Sequence, residues 1–96
     1  MKLRIFREAR QDMLGIGEYI AQDNPERAMA FIGELEVKIR AAAERPRSFP
    51  QRDDLYPGLR AALLRPYLIL FRIEAEAVEI VPVMHGARDL SVLFGE

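Results

Sequence analysis

With 96 residues, half of them hydrophobic and 30% charged, the chain fits a single globular domain over 1–96 and is too short for two. It has no Cys, which excludes a disulfide scaffold and a thiolate metal site, and one His, which excludes a two-His metal site within one chain. A net charge of −1 argues against a general nucleic-acid binder, and no apolar run nears the roughly 20 residues of a membrane helix.

Residues 1–10 interleave charged and apolar side chains, so they lack the apolar core of a signal peptide. With the absence of Cys, this suits a cytoplasmic protein. Lys2 to Phe6 alternates polar and apolar, with Leu3 and Ile5 on one face, and predicts a short strand. Ala9, Met13, Ile16 and Ile20 then recur at helical spacing, predicting an amphipathic helix from about Glu8 to Gln22. Gly15 and Gly17 interrupt it, as tolerated surface glycines, as sites of close packing, or as marks of a helix that firms up only with a partner.

Asn24-Pro25-Glu26 punctuates the chain. Asn24 suits a cap, Pro25 the first helical position, and Glu26 the positive end of a helix. A second helix follows, with Ala28, Phe31, Ile32, Leu35, Ile39 and Ala42 on one stripe. It should end near Arg45, because Pro46 disfavours helix in the residue before it. So short a connection makes the two helices an antiparallel hairpin.

Pro46 to Gly58 reads as a loop. Leu59–Arg65, Tyr67–Ile73 and Val78–His85 read as three strands, and their short connections make them an antiparallel meander. Pro82 should mark a bulge or an outward-facing position in the third strand. Ala87 to Leu93 suits a short C-terminal helix. The fold class is α+β.

The middle strand sets Tyr67, Ile69, Phe71 and Ile73 on one face, the seat for the hairpin. Leu68, Leu70 and Arg72 take the other face. A chain this short has little left to cover that face, so it predicts an apolar surface for a partner. The alternative is a fold-back of the C-terminal segment with Leu90, Leu93 and Phe94. Six arginines between 40 and 65 and the basic residues of 1–10 would form a positive patch if the two segments meet.

The inventory for catalysis is thin. No glycine-rich phosphate loop or G-x-S-x-G elbow is present. His85 could bond a loop carbonyl, or serve as acid or base in RNA cleavage, with Arg60, Arg65, Arg72 and Arg88 on the phosphate. Tyr67 and Glu79 are the candidate second groups, and Tyr67 belongs to the expected core face. No catalytic residue, metal or cofactor is expected. The candidate contacts with partner or target are Arg60, Arg65, Leu68, Leu70, Arg72, His85 and Arg88.

Several segments resemble the ParE branch of the ParE/RelE toxin–antitoxin superfamily (plasmid stabilisation proteins). Tyr19-Ile20-Ala21, Asp23-Asn24-Pro25, Ala28 and Phe31-Ile32 resemble its helical hairpin. Arg52-Asp53-Asp54-Leu55 and Pro57-Gly58-Leu59-Arg60 resemble the loop and strand that follow. Tyr67-Leu68-Ile69 with Phe71-Arg72-Ile73 resembles its middle strand, and Val78-Glu79-Ile80 with Val83-Met84-His85-Gly86-Ala87-Arg88-Asp89-Leu90 its ending. The resemblance implies a toxin that poisons DNA gyrase without being an enzyme and is neutralised by a ParD-like antitoxin wrapping a helical segment around it. It implies a hetero-oligomer with that antitoxin and no sequence-specific nucleic-acid binding by the chain alone. Family members often carry a basic residue where Pro82 stands, which implies an altered strength of poisoning. The alternatives are a RelE-like ribosome-dependent messenger RNA endonuclease and a non-toxic relative that only binds an antitoxin. The endonuclease is disfavoured by the lack of any Lys after Lys38 and of any Tyr after Leu90.

Overall fold

A computed structural model describes residues 1–81 and 84–85. Strand β1 (Lys2–Ile5) leads into helix α1 (Arg7–Asp23) and helix α2 (Pro25–Glu44). Strands β2 (Leu59–Leu64), β3 (Tyr67–Glu74), β4 (Ala77–Ile80) and β5 (Met84–His85) follow. The predicted helices agree with these bounds to within a residue or two. The expected C-terminal helix over 87–93 lies outside the described residues.

One residue, Asn24, makes the hairpin turn. Its backbone N–H donates to the Ile20 carbonyl (2.9 Å) and closes α1. Its side-chain oxygen accepts from the Arg27 N–H (3.0 Å) and opens α2, with Pro25 at the start where no N–H is needed. Gly17 allows the two helices to approach. A methyl group there would sit 3.2 Å from the Ile32 side chain, whereas one at Gly15 would meet nothing within 4 Å. The packing and surface readings of these glycines therefore divide, with Gly17 at a close approach and Gly15 on the surface.

The sheet runs β1-β4-β3-β2. β2, β3 and β4 form the expected antiparallel meander, and β1 adds to β4 in parallel, so the sheet is mixed. Parallel pairing needs a long crossover, and the helical hairpin and the strands after it supply one. The predicted strand Val78–His85 is broken in two. Phe71 pairs with Ile80 but Leu68 with Met84, so the register along β3 slips by one residue between β4 and β5. One surplus residue between β4 and β5 is the arithmetic of a bulge. Pro82 itself lies outside the described residues.

The hairpin covers one face of the sheet. Phe31, Leu35, Ile39 and Ala42 of α2 meet Ala62, Ile69, Phe71, Val78 and Ile80, and α1 adds Ala9. Phe31 meets Tyr67 edge-on with ring centroids 5.4 Å apart, and Phe49 meets Phe71 in the same way at 5.6 Å. Tyr67 thus stands beside the core on the face that the alternation predicts. Truncation of a buried aromatic such as Phe31 costs about 3–5 kcal/mol, a large share of the stability of so small a domain.

Candidate functional site

The second face of the sheet is partly covered and partly open, with Leu63 exposed, and the expected fold-back of Leu90, Leu93 and Phe94 onto it lies outside the described residues. Leu70 is fully buried there in a small cluster with Leu59, Ala61 and Val81, against which Leu68, Phe6 and Leu55 pack. Leu55 comes from the loop before β2, and that loop is ordered. Gly58, at φ +82°, donates its N–H to the Asp53 carboxylate (2.9 Å). The positive φ is a conformation that glycine adopts without steric cost. Arg52 donates its N–H to the Leu59 carbonyl (2.7 Å), and its guanidinium grips Asp54 at 2.9 and 3.0 Å. That bond raises the pKa of Arg52 and holds the Asp54 carboxyl below the usual carboxylate range. The Arg52-Asp53-Asp54-Leu55 and Pro57-Gly58-Leu59-Arg60 segments therefore have a structural role, fixing a loop that plugs the second face.

Beside the cluster lies a row of charge across three strands. Glu79 is 6% exposed, a buried carboxylate in the middle of β4. Its neighbour on β3 is Arg72, whose Nε donates to Glu79 Oε1 at 2.8 Å. Its neighbour on β1 is Arg4, 3.6 Å from Oε2. The hydrogen bond to Glu79 raises the pKa of Arg72, against the opposing effect of desolvation. The Arg72 guanidinium also lies 5.7 Å from the centre of the Phe6 ring, within cation–π range. Both arginines stay substantially exposed, with 44% and 65% of their side chains open. The result is a pair of exposed guanidinium groups held in place by one buried anion, with the charge of Glu74 also acting on Arg72.

The sequence-predicted contacts thus scatter. Arg72 sits in this charged row, and Leu68 is half-buried beside the apolar cluster. Leu70 lies under the surface, a correction to its candidacy as a contact. Arg60 turns away, donating to the carbonyls of Phe49 (2.7 Å) and Arg47 (3.5 Å). Arg65 is exposed in the β2–β3 turn, at the end of the sheet remote from Arg72. His85 pairs with Tyr67 through the backbone, and nothing further of it is described. Arg88 lies outside the described residues. Glu79, the candidate acid or base, is engaged by two arginines.

Sequence reasoning missed Arg4 and Phe6 as members of the row. The available signal was the alternation of β1, which sets Arg4 opposite Leu3 and Ile5. Part of the exposed apolar surface is where the alternation sets it, since Leu63 is exposed beside its partner Leu68 on the second face, and more of it lies on the helices, which sequence reasoning did not single out. Leu14, Tyr19, Met29 and Val37 are all exposed, and a groove of about 500 Å³ runs along α2, lined by Ala30, Gly33, Val37 and Leu64. Among the described residues, no cluster of three or more potential metal ligands occurs, and no helix is long and apolar enough to cross a membrane.

A helical hairpin packed on one face of a mixed sheet places the chain among small α+β proteins. The model of the ParE toxin of the type II toxin–antitoxin system parDE matches residues 3–90, and the chain belongs to that family. It is 30% identical to Toxin ParE3 of Caulobacter vibrioides over 69 residues, 72% of this chain and 69% of that one. A solved structure of the chromosomal ParDE system from P. aeruginosa shares the fold, with a TM-score of 0.76 at 22% identity, over 88% of this chain and 95% of that one.

Proposed function

We propose that this ParE-type toxin arrests growth by binding DNA gyrase and trapping cleaved DNA, and that a ParD-like antitoxin neutralises it. The observation that carries this reading is the family match over nearly the whole chain. The antitoxin part gains support from the exposed apolar side chains of the hairpin and the groove along α2. These suit an amphipathic helix laid across them. The target part gains support from Arg72 and Arg4, two exposed guanidinium groups fixed in place and fit for a protein or nucleoprotein partner. On this reading the protein acts by recognition, with no reaction of its own, and works in the cytoplasm where gyrase is.

Induced expression in a bacterial host tests the reading. Growth should stop while transcripts stay full length, and co-expression of the small chain encoded beside the toxin should restore growth. Rapid cleavage of messenger RNA on ribosomes would point to an endonuclease instead. Normal growth with folded protein present would point to a non-toxic antitoxin-binding relative.

A further inference from the structure

β1 is an edge strand of the sheet, paired with β4 alone among the described residues. Lys2 donates its N–H to the Glu76 carbonyl and Phe6 donates to the Ile80 carbonyl, so the even-numbered residues turn their backbone toward β4. Leu3 and Ile5 therefore turn their N–H and C=O groups to the open side, with no partner among the described residues. Unpaired edge groups of this kind are a template for another strand. Leu3 is 42% exposed and Met1 51%. The edge also has a floor. Between β1 and α2 lies a groove of about 340 Å³, with Met1, Leu3 and Ile5 on the strand side and Ile39 and Ala43 on the helix side. The terminal amine, 3.4 Å from the Ala43 carbonyl, ties the start of β1 to α2 and holds the groove's end.

The two faces of this edge differ in charge. On the groove side, Glu36 and Glu44 rim the apolar floor, with Arg40 between them. On the other side stand Lys2 and Arg4, both exposed. A second copy of this chain fits badly, because antiparallel pairing of β1 with β1 about Leu3 sets Lys2 against Arg4 of the partner on one face. Like charges directly opposite destabilise a strand pair.

We propose that the β1 edge is a strand-addition site for an extended partner segment with alternating side chains. Apolar residues lie over the groove, and acidic residues alternate with them beside Lys2 and Arg4. Backbone bonds to Leu3 and Ile5 supply affinity, and the two charge environments supply direction and register. The partner is defined by this chemistry alone, whichever protein carries the segment.

The test is titration of the full-length, isotope-labelled protein with a synthetic nine-residue peptide alternating valine and glutamate, followed by amide NMR. Saturable shifts and slowed exchange at the Leu3 and Ile5 amides are expected. Lysine in place of glutamate should weaken binding roughly fivefold to tenfold or more. Leu3→Pro should do the same, since it deletes an outward N–H and leaves the ladder to β4 intact. If Leu3→Pro disturbs the fold by circular dichroism, Ala43→Glu, which puts a carboxylate into the groove, should give the same loss. Four outcomes would overturn the proposal: no saturable shift at millimolar peptide, shifts centred on Val37, equal binding of the lysine peptide, or edge shifts that follow protein concentration without peptide.

Discussion

Glu79 holds Arg72 across the β3–β4 pair at 2.8 Å, with the Glu79 side chain 8% exposed and the Arg72 side chain 44% exposed. The asymmetry of burial fixes what each side chain risks. Arg72 can turn to water if Glu79 is lost. Glu79 has no such escape, and its second arginine, Arg4, stands farther off at 3.6 Å.

Arg72→Ala should therefore cost more than Glu79→Gln. Loss of Arg72 leaves a buried carboxylate with one distant partner, at about 2 kcal/mol after allowance for solvent screening. Glu79→Gln keeps the shape and a polar contact to Arg72, at about 1 kcal/mol. Arg4→Ala should lie near 0.5 kcal/mol. Urea unfolding of the three variants measures the order, and a larger loss for Glu79→Gln than for Arg72→Ala contradicts it.

The hairpin turn depends on Asn24, which serves both helices. Asn24→Ala removes the bond to the Arg27 N–H and should lower stability by about 1 kcal/mol. Asn24→Asp should retain most of it. Thermal unfolding followed by circular dichroism reads the difference as several degrees, on the scale of roughly 4–8 °C per kcal/mol for a domain of this size.

The glycines of α1 should separate under substitution. Gly15→Ala enters open space and should stabilise by about 0.5–1 kcal/mol through helix propensity. Gly17→Ala gains the same propensity but meets the Ile32 side chain at 3.2 Å, so its gain should be smaller or reversed. A double variant with Ile32→Val, which shortens the obstructing arm, should restore the helical benefit of Gly17→Ala at the cost of some core packing.

Asp54 should titrate below the ordinary aspartate value of about 3.9, because the Arg52 hydrogen bond favours its charged form. A carboxyl depressed in the folded state contributes stability above its unfolded pKa and loses it as pH falls through the folded pKa. The Arg52–Asp54 contribution is thus complete at neutral pH and fades only in acid below about pH 4. Carbon-detected NMR titration of Asp54 checks this, and Arg52→Gln should move its pKa back up.

Much of the architecture is legible in the sequence. The stripe Phe31, Leu35, Ile39 and the Asn24-Pro25 punctuation settle the hairpin, and the alternation of Tyr67, Ile69 and Phe71 settles which face of β3 it covers. These are local patterns with periods of 3.6 and 2. What depends on distant pairing is not legible. The parallel attachment of β1, the placing of Arg4 beside Glu79, and the reach of Leu55 onto the second face each join segments far apart in the chain. Leu70 illustrates the consequence. Its alternation correctly assigns it to the second face, but only the tertiary packing of Leu59, Ala61 and Val81 shows that it is buried. The engagement of Arg60 is illegible for a similar reason, since the carbonyls of Phe49 and Arg47 that hold it belong to a loop with no periodic signal.

The proposed recognition of gyrase without chemistry is tested most directly by a cleavage assay with purified gyrase, supercoiled plasmid and ATP. Added toxin should raise the amount of protein-linked linear DNA with its own concentration. Pre-mixing with the antitoxin should abolish the effect. Gyrase activity and cleavage left unchanged by excess folded toxin, together with ribosome-dependent cutting of a messenger RNA by the same preparation, would contradict it.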